Sequence, residues 1–168
     1  KPHLECRKSY HIIMSDGYWN SAEADTSAAR ANVDNTAGPS TPITGPGGQS
    51  YRYLPIHPYK DGNSNTLADI AMYYWNRDLR PDLDNRVRPD LENPAFWQQL
   101  VQFTVGLGVT GSLNPETDLP ALTAGTLSWP GVGSNPGKID DMWHAAVNSH
   151  GQFLSASNPD QFAEALGA

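Results

Sequence analysis

A chain of 168 residues with a formal net charge of −7 is about one domain's length, enough for a real core. It has no positive excess with which to bind nucleic acid or dock on an anionic membrane surface. Charged residues make up 17%, below the usual share of roughly a quarter; 15 Gly and 14 Pro promise loops, and seven Tyr with five Trp promise aromatic packing or an aromatic surface. The lone cysteine, Cys6, has no internal disulfide partner, and any partner would lie upstream in a longer chain. Neither a signal peptide nor an apolar run of membrane-spanning length is present, so no membrane insertion is expected. A start at Lys1 without a Met fits a processed protein or an excised fragment.

Residues 9–15 read as the first strand. Within it His11-Ile12-Ile13-Met14 is a short apolar run of the kind found in parallel strands buried on both faces. Asp16-Gly17 then forces a sharp exit, and in open α/β sheets ligands sit at such strand ends. Asp16 is therefore either a turn residue or part of a site. From 20 to 64 there is little periodicity beyond a possible short helix at Ala22–Asn32, and the dipeptides Gly38-Pro39, Gly45-Pro46 and Gly47-Gly48 mark a long loop, read as a solvated insertion.

Thr66–Arg77 is the clearest helix. Thr66 with Asp69 resembles a capping box, and Leu67, Ile70, Ala71 and Tyr74 share a face. Pro94–Gln99 reads as a helical turn leading into a second buried strand, Leu100–Leu107, followed by a second long loop at 108–137. Ile139–Ser149 is a second long helix, with Asp140 and Asp141 expected in its first turn, where the helix dipole favours anions. His150-Gly151 closes it, with Gly as the left-handed terminator. Gln152–Ala156 is a third strand, and Ser157-Asn158-Pro159-Asp160 opens a last helix. Strand and helix alternate throughout, which means an α/β fold with a parallel sheet. Three strands are few for this length, as in half of a larger unit.

Several groups of residues invite a chemical reading. Asp16 could serve as a hard-cation ligand or simply cap its own turn. Asp61-Gly62-Asn63-Ser64-Asn65 begins like a calcium loop, but Thr66 replaces the required Gly and Met72 the required Glu, which favours a loop plus helix cap. Asp140, Asp141 and His144 lie at helical spacing, so Asp140 and His144 could join Asp16 in a metal-dependent hydrolase. The blander reading is dipole chemistry for the acids and a packed histidine. No G-x-S-x-G elbow and no phosphate-binding loop occurs. Tyr73-Tyr74-Trp75 cannot all face one way on a helix, and together with Tyr18 and Trp19 they form a candidate partner surface.

The segments YHIIMSDGYWN, SNTLADIAMYYWNRDLRP, FWQQLVQFTVGLGVTGSLNP and IDDMWHAAVNSHGQFLSASNPDQFAEAL follow one another as in type IV pilus tip-associated adhesins of the PilY/PilC type. This resemblance runs from about Cys6 to Leu166. It implies the later half of a von Willebrand factor A-like, Rossmann-like domain with long Gly/Pro-rich loops, lying before a β-propeller in a larger bacterial surface protein. The implied role is non-enzymatic: pilus biogenesis, surface or host adhesion and twitching motility. The implied partners are the missing first half of the domain, the downstream propeller, and pilus components or a host or surface receptor. The implied location is the cell surface, at the pilus tip or outer membrane, after secretion. Such domains hold Mg²⁺ or Ca²⁺ with an Asp-x-Ser-x-Ser motif, a Thr and an Asp-Gly after the fourth strand. Asp16-Gly17 matches only the last, with Ser15 where Thr or Ser precedes it. Asp25-Thr26-Ser27 lacks the second Ser, since position 29 is Ala. A site one-third present is not expected to hold a cation tightly in this chain alone.

Overall fold

The computed structural model describes residues 3–16 and 31–156. Gly17, Tyr18, Trp19, most of the helix expected over 22–32 and the whole of the last helix lie outside the described residues.

Three strands form a parallel sheet in the order β1 (Ser9–Ser15), β4 (Leu100–Leu107), β5 (Phe153–Ala156). All three were expected from the sequence. Between them come a two-residue hairpin, β2 (Ile43–Thr44) with β3 (Ser50–Tyr51), then α1 (Leu67–Trp75), and, after β4, α2 (Leu119–Thr123) and α3 (Asn135–Asn148). Each step along the sheet goes the same way. Right-handed crossovers therefore put α1 and α3 on one face, where the Thr104 hydroxyl donates to Met142 O of α3 at 2.8 Å. The fold is α/β with a parallel sheet, compatible with part of a von Willebrand A-like, Rossmann-type domain.

The first strand differs from the expectation of burial on both faces. Ile13 alone among its apolar residues packs inward, against Val109, Ile139 and Met142. Tyr10, Ile12 and Met14 are 59%, 57% and 57% exposed. The reason is position: among the described residues β1 pairs on one side only, so its apolar composition does not report burial.

Capping at α1 follows the sequence. Thr66 accepts from the Asp69 amide at 3.1 Å, and Asp69 accepts in return from the Thr66 amide at 3.0 Å. The preceding loop behaves as a cap too, with Asp61 accepting from the Asn63 amide at 2.7 Å. At α3 the start moves upstream to the Ser134 cap with Pro136 in the first turn. Asp140 and Asp141 are thus in the second turn, and the dipole reading of them does not hold. The end of α3 is also corrected. His150, not Gly151, takes the left-handed backbone, with φ 58°. Its amide bonds Val147 O at 3.1 Å while that of Gly151 bonds Ala146 O at 2.8 Å, the two bonds of a Schellman ending. Gly151 is needed for a different reason, since any Cβ there would run into Gln102 O.

Residues 31–61 are not a solvated excursion. Val33, Ile43, Tyr51, Tyr53 and Tyr59 join Met72, Trp75, Phe96 and Trp97 in the main aromatic cluster. The stretch expected as a helical turn at Pro94–Gln99 is an irregular run whose carbonyls bond elsewhere, Phe96 O to the Val87 amide and Gln98 O to the Leu79 amide. That places Phe96 and Trp97 in the core. A second cluster of Leu122, Trp129 and Trp143 explains the short helix α2, which the Gly- and Pro-rich composition of 108–137 concealed.

Candidate functional site

Asp16 ends β1 and is exposed at the carboxyl end of the sheet, where parallel sheets place their ligands. At the same end a cavity of about 490 Å³ opens beyond β4 and β5, lined by Thr110, Asn114, Asp140, Trp143, Phe153 and Ser155. Asp140 is already engaged. Its two oxygens accept from the amides of Ser112 at 2.9 Å and Leu113 at 3.1 Å, so it fastens the loop after β4. Gly111 permits this, because any side chain there would collide with the Asp140 carboxylate.

The next residue on α3 does the same for another helix. Asp141 accepts from the amides of Leu67 at 2.9 Å and Ala68 at 3.0 Å. With Asp69 bonded to Thr66, the first three amides of α1 are all satisfied, two of them by a carboxylate more than seventy residues away. The arrangement uses the positive end of the α1 dipole. Burial pushes the Asp141 carboxyl up to about 7 even against those two hydrogen bonds.

His144 lies one turn further along, enclosed. Its ring stacks on Trp129 at 4.2 Å between centroids and 11° between planes. Nε2 sits 2.6 Å from Tyr59 O; a carbonyl only accepts, so Nε2 carries the proton. Two carboxylates flank the ring, Asp34 at 3.6 Å and Asp61 at 3.7 Å. Burial drives the imidazole down to about 3, partly opposed by the Tyr59 bond. Burial, reinforced by Asp61 and Asp69, drives Asp34 up to about 8. Burial thus favours the neutral form of both groups, a protonated Asp34 and an uncharged His144 at neutral pH. Asp34 also accepts from the Asp61 amide at 3.2 Å and from Asn148 Nδ2 at 3.0 Å. This interior network locks residues 34–61 onto α3.

Among the described residues the alternative hydrolytic constellation of Asp16, Asp140 and His144 is therefore not assembled. Asp16 is at the rim, Asp140 holds a loop, and His144 is walled in by Trp129 and Tyr59. Among the described residues no group of three His, Cys, Asp or Glu side chains could hold a metal ion. Of Asp16, Asp140 and His144, Asp16 alone is exposed.

The aromatic candidates divide. Tyr73 and Tyr74 are half-buried, their rings edge to face at 5.1 Å. Trp75 is 2% exposed and offers a partner nothing. It sits between Trp97, at 5.3 Å, and His150, at 4.4 Å, and its indole donates to Asn93. The contact surface that sequence reasoning missed is the outer face of β1. Register puts Tyr10 beside Val101, Ile12 beside Phe103 and Met14 beside Val105, on the face turned away from Thr104 and α3. Val101 and Val105 are 3% and 1% exposed, whereas their β1 neighbours stand open. The alternation of Tyr10, Ile12 and Met14 was the available signal, masked by Ile13.

A parallel sheet, exposed along its first strand and followed there by an acid at the strand's carboxyl end, defines an α/β module of the Rossmann type. No protein-family model matches the chain, and no solved structure matches it. Curated relatives do: type IV pilus biogenesis factor PilY1 of Pseudomonas aeruginosa strain PAK is 40% identical over 190 residues, 98% of this chain. The proteins of the same description from strains PAO1 and UCBPP-PA14 are 39% and 38% identical over 98% and 96% of it. The chain is related over nearly its whole length to a segment of the PilY1 type of protein. It spans about 15% of the length of these relatives.

Proposed function

We propose that this chain is a non-enzymatic module of a type IV pilus biogenesis protein, acting through protein contacts in pilus assembly, surface or host adhesion and twitching motility. In the intact domain those contacts depend on Mg²⁺ or Ca²⁺, with Asp16 as one ligand. The observation that supports this reading best is β1. Among the described residues it pairs on one side only, and its three exposed apolar side chains lie on the strand that leads to Asp16, in a chain related nearly end to end to a segment of PilY1. A bare apolar edge strand is an aggregation liability that native proteins cover. The proposed cover is the first half of the same domain, which would also bring the remaining cation ligands. A downstream propeller, pilus components and a host or surface receptor are the further partners, at the cell surface or pilus tip.

The test is an exchange in a living system. The matching segment of Pseudomonas aeruginosa PilY1 is replaced with this chain, and surface pili and twitching zones are scored. Restored pili and twitching are expected, with both reduced when the exchanged segment carries Asp16→Ala. A chimera present at normal levels that restores neither rejects the proposal.

A further inference from the structure

We propose that the hollow beyond β4 and β5 binds an organic cation, an ammonium group on an apolar stem of the kind a lysine side chain carries. The hollow measures about 490 Å³ and opens at the carboxyl end of the sheet, where parallel sheets place their ligands. It falls within the roughly 300–1,000 Å³ of ordinary ligand pockets. It lies on the other side of β4 from β1, apart from the strand face and the acid on which the proposed function rests.

The walls divide by chemistry. Leu113, Ile139, Trp143 and Phe153 supply apolar surface, two of them with aromatic rings. Asp140 and Glu116 are the charged lining residues, and no Lys, Arg or His lines the hollow among the described residues. Asp140 is held in place by the amides of Ser112 and Leu113, so it fixes a negative charge at the wall rather than reaching for a ligand. Burial pushes its carboxyl up against those two bonds, and the charge of Asp118 adds to the rise. Glu116 differs. It is exposed, and its carboxylate makes no bond among the described residues, so it can close on a bound group.

This combination narrows the occupant. An anion would meet two carboxylates with no cation on the walls to offset them. A purely apolar ligand would strip water from those carboxylates and give nothing in return. A divalent metal ion needs several oxygens at bonding distance, and no group of three acidic, His or Cys side chains among the described residues could hold one. An ammonium on an aliphatic stem uses both kinds of wall. Its charge is favoured by the acids and by aromatic rings, and its stem covers apolar surface.

The experiment is an NMR titration of the ¹⁵N-labelled chain with N-acetyl-lysine methylamide, and separately with N-acetyl-norleucine methylamide, which lacks the ammonium. Saturable shifts confined to residues 110–116, 139–143 and 153–155 are expected with the lysine compound, and none with the norleucine one. Binding should be weak, as suits so few heavy atoms, and weaker by about threefold or more in Glu116→Gln. Ser155→Trp fills the hollow from an exposed position without altering either acid, and should abolish the shifts. A lysine compound that outbinds n-butylammonium identifies a side chain within a polypeptide; the reverse identifies a free amine. Equal response to the lysine and norleucine compounds, no saturable shift with either, or shifts that persist in Ser155→Trp would overturn the proposal.

Discussion

The two faces of β1 use the same alternation to opposite ends. On the helix side, Ile13, Thr104 and Phe153 meet α3 or residues beside it, and the Thr104 hydroxyl donates to Met142 O. On the other side of β1, Tyr10, Ile12 and Met14 stand open. The closed face holds this chain together. The open face contributes little to its stability and is free to contribute to contacts. Exposed apolar residues in a row on an edge strand are therefore evidence of a surface, not of a weak core.

Changes on the closed side should be costly, and the largest effect belongs to Trp75. Trp75→Ala removes an indole stacked on His150 and edge to face with Trp97, and should cost about 3–5 kcal/mol, read as a lower denaturant midpoint. Next is Asp141→Ala, which strips the half-buried Leu67 amide and the buried Ala68 amide of their acceptor. About 3 kcal/mol is expected, with α1 the first element to lose hydrogen-exchange protection. If Asp141→Ala were tolerated, the cross-chain cap would not be what holds α1.

A pH series sharpens the comparison without mutation. Asp34 and Asp141 have folded pKa values of about 8 and about 7, above the ordinary 3.8. Each holds a proton more tightly when folded, so its contribution is complete below about 4 and is lost as pH rises through the folded value. His144, depressed to about 3, acts in the opposite sense, but only below its ordinary 6.5. Above pH 6.5 the acids act alone, and the melting temperature should fall between pH 6.5 and 8.5. Asp34→Asn should flatten that fall, because an amide does not titrate and its oxygen can still accept from Asn148 Nδ2. A rise in melting temperature across this window would contradict the buried-proton account.

The smallest effect is on the open side. Ile12→Ser and Met14→Ser should each change stability by less than about 0.5 kcal/mol, while lowering self-association measured by light scattering. A loss of 2 kcal/mol or more would mean that this face belongs to the folding core after all.

Local signals were legible where they are local. The three strands, the Thr66–Asp69 capping box and the Asp61 loop cap all follow from short-range residue chemistry, and the structure shows each of them. Asp16 at a strand's carboxyl end was legible for the same reason. The family resemblance lay in long unbroken segments, and the relatives bear it out. Where helices began and ended was less clear, because Ser134-Asn135-Pro136 reads equally well as loop and as cap, and His150 takes a backbone that Gly151 was expected to adopt.

What only the tertiary structure decided depends on partners distant in sequence. Periodicity cannot reveal that Asp141 caps α1 from more than seventy residues away, or that Asp34 and Asp61 flank His144 inside the protein. Nor could it show that an aperiodic, Gly- and Pro-rich stretch delivers Tyr51 and Tyr53 to the core, since irregular chain packs by single anchors rather than by a repeating face. The apolar run of β1 announced a strand. Whether that strand was central or marginal depended on which neighbours paired with it, and pairing is a property of the sheet rather than of the strand's own residues.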